Sequence, residues 1–93
     1  MEYYVVLVAI TGMYENDCSY ISGNKLFGWL DYAKKEFDKA VHDALQMANL
    51  SEEDILLKDK GHHVYGDTTG KRVEVTIEEL CYGWFSAERI IYE

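Results

Sequence analysis

The stretch from Leu30 to Asn49 constrains the fold most, because its apolar residues recur with the period of an α-helix. They lie three or four positions apart, at Leu30, Ala33, Phe37, Val41, Ala44 and Ala48. This spacing places them along one side of a helix. The sequence therefore predicts one amphipathic helix over about residues 30–49, with its charged outer side in solvent.

The chain on both sides of this helix has the patterns of β-strands. Residues 2–11 are apolar at odd and even positions alike, which predicts a central strand. Arg72 to Glu78 alternates polar and apolar residues, so one of its faces should be buried and the other wet. Turn formers at residues 67–70 predict a hairpin with residues 62–65. Residues 82–92 are rich in aromatic and β-branched side chains, which predicts a closing strand.

Together these patterns predict an α+β fold, a mostly antiparallel sheet of about four strands with the main helix packed on one face. A length of 93 residues favours a single domain over residues 1–93, and 48% hydrophobic residues can supply its core. The rings expected in the core are Tyr4, Trp29, Phe37, Trp84 and Phe85, whereas Tyr14, Tyr20, Tyr65, Tyr82 and Tyr92 are expected to stay wet near loops.

The sequence also bears on the cellular compartment of the protein and on the redox state of its cysteines. No stretch approaches the roughly 20 apolar residues that span a bilayer. The apolar segment at residues 3–10 has no basic residues before it, as a secretory signal peptide would have. We therefore expect a cytoplasmic protein without membrane contact. Cys18 and Cys81 are the two cysteines, and they are expected to be reduced thiols.

The charge balance bears most directly on partners. Seventeen acidic residues face nine basic ones, a net charge of −8, which argues against binding to nucleic-acid phosphates. Residues 50–93 hold ten of the acids and five of the bases. The predicted acidic binding face consists of Glu52, Glu53, Asp54, Glu74, Glu78 and Glu79. Its expected partner is a protein with a basic surface.

No motif predicts catalysis or a cofactor. Neither cysteine has a histidine or a cationic residue nearby in sequence to activate it. His62 and His63 are adjacent, but successive residues of a strand face opposite sides, and their spacing matches no zinc signature. We therefore predict no metal site and no cofactor, and the sequence favours a non-enzymatic protein over an enzyme.

Three functions stay open. The leading hypothesis is a small acidic binding or inhibitory module that engages a basic protein surface, including a nucleic-acid-binding site, as some phage and mobile-element inhibitors do. The second is a small-molecule-binding domain or small enzyme, with a pocket between helix and sheet lined by Trp29, His63, Tyr65 or Trp84. The third is a homo-oligomer subunit that pairs through an edge strand.

Overall fold

A computed structural model describes residues 2–13 and 17–81 of the chain. The strands are β1 (Glu2–Thr11), β2 (Cys18–Ile21), β3 (Ile55–Asp59), β4 (His62–Gly66) and β5 (Arg72–Cys81), and the helix is α1 (Leu30–Ala48). Short 3₁₀ turns lie at Ser22–Asn24 and Glu52–Asp54. The strands form one sheet in the order β2-β1-β5-β4-β3, and every neighbouring pair is antiparallel.

The predicted α+β class is confirmed, with a correction in the number of strands. The described sheet has five strands instead of about four, because the short segments β2 and β3 both pair at its edges. Neither segment is long enough to show a clear alternation in the sequence. The closing strand predicted over residues 82–92 lies outside the described residues.

Helix α1 begins and ends close to the predicted positions. Asn49 follows the last helical residue in the left-handed conformation, with φ 56° and ψ 42°. The N–H of Leu50 donates to the carbonyl of Leu45 over 2.9 Å, which satisfies one of the last helical carbonyls. Asparagine tolerates this conformation better than most residues, so Asn49 ends the helix.

The core lies between α1 and one face of the sheet. Phe37 and Val41 from the helix share a buried cluster with Val6 and Val8 of β1. Other members of the cluster are Ile10, Phe27, Ala33, Ala40, Ala44, Leu45, Ala48, Tyr65, Val73 and Val75. The small alanines of α1 let the helix approach the strands closely, and the aromatic and branched side chains fill the remaining space.

Two aromatic residues are placed differently from the expectation. Trp29 is 72% exposed because it precedes the first turn of α1 in an extended conformation, outside the apolar stripe. Tyr65 is fully buried because it lies on the face of β4 that packs towards α1. Trp84 and Phe85 lie outside the described residues. In the part of the chain that the structure describes, no helix is both long and apolar enough to cross a membrane.

Candidate functional site

The side of the sheet opposite α1 carries the wet strand face that the sequence predicted. We call it the distal face. Since paired residues of neighbouring strands point to the same side, Leu7 lies between Ile21 of β2 and Thr76 of β5, and Ala9 lies beside Glu74. The distal face includes Val5, Leu7, Ala9, Thr11, Ser19, Ile21, Leu56, Leu57, His62, Val64, Arg72, Glu74, Thr76 and Glu78.

Four large apolar side chains of the distal face are in contact with solvent. Leu7 is 37% exposed and its cross-strand neighbour Ile21 is 39% exposed. A shallow depression of about 460 Å³ runs between these two residues and Glu74. An antiparallel sheet usually carries polar residues on its wet side, so apolar side chains there are an informative departure.

A bulge in β3 adds two more leucines to this face. The register shifts between Ile55 and Leu57, so Leu56 and Leu57 both lie near Val64 and Gly66 of β4. A Cβ atom at Gly66 would approach Cδ1 of Leu56 to 2.9 Å, so the glycine leaves room for that leucine. Leu56 is 63% exposed and Leu57 is 36% exposed. The bulge therefore widens the apolar part of the distal face.

The charged groups of the distal face lie next to these apolar residues. Nε2 of His62 is 2.6 Å from Oε2 of Glu74, and both side chains are partly exposed. Glu78 is exposed and follows four residues further along β5, on the same side. The face thus combines aliphatic side chains with the carboxylates of Glu74 and Glu78, the imidazole of His62 and, beside Gly66, the guanidinium of Arg72.

The six acids of the predicted binding face lie in three places. Glu74 and Glu78 lie together on the distal face, whereas Glu79 pairs with Tyr4 on the side of the sheet that carries α1. Glu52, Glu53 and Asp54 form the 3₁₀ turn before β3. There Asp54 accepts a hydrogen bond from the backbone N–H of Ser51 over 2.8 Å, which completes a capping box. Of the three acids on β5, the structure therefore places Glu74 and Glu78 on the distal face and Glu79 on the opposite side of the sheet.

A cavity of about 700 Å³ lies between the first turns of α1 and the sheet. Its apolar wall includes Leu30, Phe37 and Ile77, and its polar groups include His63 and Lys34. Of the four residues predicted for a pocket, His63 lines this cavity and Tyr65 contacts His63 from the buried side. Trp29 lies in solvent, and Trp84 is outside the described residues.

A chain of hydrogen bonds orients His63. The hydroxyl of Tyr65 donates to the carboxylate of Glu52 over 3.2 Å, because a carboxylate can only accept. The Tyr65 oxygen then accepts from Nδ1–H of His63 over 3.1 Å, which leaves Nε2 as the acceptor nitrogen of the neutral ring. The edge of the His63 ring also meets Phe37, with ring centroids 4.8 Å apart.

Burial shifts the acidity of both ring residues. Desolvation lowers the pKa of His63, and the nearby Lys58 ammonium acts in the same direction. Desolvation together with the charge of Glu52 raises the pKa of Tyr65 to about 12. At neutral pH the pair is therefore an uncharged imidazole and an uncharged phenol.

The two adjacent histidines do not share a site. His62 contacts Glu74 on the distal face, whereas His63 contacts Tyr65 on the side that carries α1. Within residues 2–13 and 17–81, no three His, Cys, Asp or Glu side chains are grouped so that they could hold a metal ion. Cys18 is a half-buried free thiol.

A further groove, which no pattern in the sequence predicts, lies along the β2 side of α1. It is lined by Lys25, Leu26, Phe27, Gly28, Tyr32, Lys35, Glu36 and Lys39. The sequence predicts only a solvated outer side for the helix, so it does not distinguish these lysines from other surface charges. The available signal was Tyr32, a large aromatic residue outside the apolar stripe, followed by Lys35 and Lys39 at helical spacing.

Comparisons with protein-family models, curated proteins and solved structures each found no match. We therefore infer a function from the fold and the surfaces of this chain alone. The described residues form a small α+β domain that carries the distal face, the groove along α1 and the cavity between α1 and the sheet.

Proposed function

We propose that this chain is a protein-binding module whose distal face engages a protein surface that combines apolar and basic side chains. The observation that carries this proposal is the exposure of Leu7, Ile21, Leu56 and Leu57 beside Glu74 on one face of the sheet. Binding would remove these aliphatic side chains from water, which is the main favourable term in most protein association.

The charges on and around this face set the chemistry of the partner. Glu74 and Glu78 lie on β5, the middle strand of the sheet, between the apolar pair Leu7 and Ile21 on one side and the leucines of β3 on the other, and the whole chain has a net charge of −8. Charges on a binding face act mainly on the rate of association and on the choice of partner. A basic protein surface is complementary both to these carboxylates and to the negative net charge of the chain. In its specific form, the proposal is that the module covers a nucleic-acid-binding site, because such sites are basic.

A second candidate function is small-molecule binding in the cavity between α1 and the sheet. The observation that favours it is the orientation of His63 by Tyr65 and Glu52, since a fixed acceptor nitrogen in a partly apolar cavity can select a ligand that donates a hydrogen bond. Pairing through an edge strand has less support. β2 has only four residues and β3 is bulged, and both features hinder strand addition.

The test is a quantitative affinity capture from the native host with three forms of the protein. These are the wild type, the distal-face variant Glu74→Lys with Glu78→Lys, and the helix variant Asp38→Lys with Asp43→Lys. Both variants change the net charge equally, so total charge is controlled. The proposal predicts a partner that is retained by the wild type and by the helix variant and is lost with the distal-face variant.

Equal loss of that partner with both variants would show that only total charge matters. Loss with the helix variant alone would point to the cavity, because Asp38 lines it. Either result contradicts binding through the distal face.

A further inference from the structure

A groove on the β2 side of α1 has a charge opposite to that of the molecule as a whole. We call it the lysine groove. Three of the nine basic residues in the chain, Lys25, Lys35 and Lys39, line it. Its volume is about 560 Å³, and its floor is formed by the buried side chains of Leu26 and Phe27.

The three lysines have no direct ion-pair partner within the described part of the molecule. None of the carboxylates there forms an ion pair with Lys25, Lys35 or Lys39. Glu36 also lines the groove, and its negative charge offsets one of the three lysines; its Oε2 atom accepts a hydrogen bond from Oγ of Ser22 over 2.6 Å. The ammonium groups therefore remain available to an anionic ligand.

Aromatic rings accompany the ammonium groups. Nζ of Lys35 lies 5.7 Å from the centroid of the Tyr32 ring, and Nζ of Lys25 lies 5.4 Å from that of Phe27. Tyr32 is 57% exposed, and the neighbouring Trp29 is 72% exposed. Exposed Tyr and Trp rings are the side chains that most often carry binding energy at protein interfaces.

We propose that the lysine groove binds a short acidic segment of another protein that carries at least one aromatic or aliphatic side chain. The acidic side chains pair with Lys25, Lys35 and Lys39, and the apolar side chain packs against Tyr32 and the groove floor. This site is independent of the distal face, because it uses other residues and the opposite charge.

The extent of the positive charge favours a peptide over single-stranded nucleic acid. A nucleic-acid strand carries a charge at every nucleotide and would continue past three lysines onto the surface of a chain with net charge −8. A short peptide can place its acidic residues only where ammonium groups lie. Base stacking on exposed Trp29 and Tyr32 is the competing outcome that the test must separate.

The test measures binding of a fluorescein-labelled synthetic peptide by fluorescence anisotropy. The peptide consists of Asp and Glu residues interrupted by two phenylalanines. The groove variant is Lys35→Glu with Lys39→Glu, and the matched control is Lys58→Glu with Lys71→Glu, which changes the net charge equally outside the groove. Thermal unfolding of each variant checks that it is folded.

We expect the groove variant to bind the peptide at least roughly 10-fold more weakly than the wild type, and the control to stay within about 2-fold. Tyr32→Ala should weaken binding by several-fold with no change in charge. No binding by the wild type at about 1 mM peptide, or equal losses for the two double variants, would overturn the proposal. Tighter binding of an oligothymidylate of similar length, with the same sensitivity to the groove variant, would also overturn it in favour of nucleic acid.

Discussion

Tyr65 shows how one buried hydroxyl can set the chemistry of a neighbouring side chain. Its phenol is fully buried, yet its oxygen has a partner on each side, Glu52 and His63. A buried hydroxyl without partners would be costly, so the chain of hydrogen bonds explains why a tyrosine is tolerated in the core. The same chain of hydrogen bonds determines that Nε2 is the nitrogen of His63 that can accept a hydrogen bond.

The shifted pKa of His63 predicts a dependence of stability on pH. Burial lowers the pKa of His63 in the folded state, so the unfolded chain, with a histidine pKa near 6.5, binds the proton more readily. The free energy of unfolding should therefore fall as the pH drops below about 6.5. This decrease should level off once the pH lies below the pKa of His63 in the folded protein. Urea unfolding over a series of pH values measures this effect.

His63→Gln is the matched variant for this measurement, because it leaves His42 and His62 in place. We expect its stability to change less with pH over the same window. A slope equal to that of the wild type would mean that His63 does not contribute.

At the level of elements, the docking of α1 on the sheet carries the fold. Phe37 is 5% exposed and lies in the cluster that joins α1 to β1 and β5. Its ring also meets the edge of His63. The helix therefore contacts both the central strands and the residues around the cavity through one side chain.

Truncation of the Phe37 side chain should lower the stability of the fold. Phe37→Ala is expected to lower the free energy of unfolding by about 3 kcal/mol or more, because it leaves a cavity between helix and sheet. Gln46→Ala is the control on the exposed side of the same helix, where little change is expected. Chemical denaturation measures both. A loss near zero for Phe37→Ala would show that the helix is not packed as described.

The sequence predicted the long elements well, because their periodicity is directly tied to burial. The stripe of α1 and the alternation of β5 each extend over enough residues to separate the helical period from the strand period. The sheet order and the bulge in β3 depend on pairing between distant segments, which no local pattern encodes.

The candidate sites were predicted less completely than the fold. Alternation placed Glu74 and Glu78 on one wet face, but the apolar character of that face arises from Leu7 and Ile21 on other strands. The lysine groove could not be predicted from the sequence, because it depends on the position of Lys25 relative to the helix, which only the tertiary structure shows. Composition shows the net charge of the chain, but it does not show how the acidic and basic residues are distributed over the surface.

At the scale of the whole molecule, the charge is divided between surfaces. The distal face carries carboxylates beside leucines, and the lysine groove carries ammonium groups beside aromatic rings. Screening acts over about 8 Å at physiological ionic strength, so each surface is recognised mainly through its own local charges. A net charge of −8 therefore does not require every partner to be basic.

The central claim is that the distal face binds a basic, partly apolar protein surface. The most direct measurement is a titration of isotope-labelled protein with a short peptide of alternating lysine and leucine, followed by backbone amide NMR. We expect saturable shifts in β1, β2 and β5 around Leu7, Ile21 and Glu74, which weaken in the variant with Glu74→Lys and Glu78→Lys. Shifts confined to α1 and the loops, or none at about 1 mM peptide, would contradict the claim.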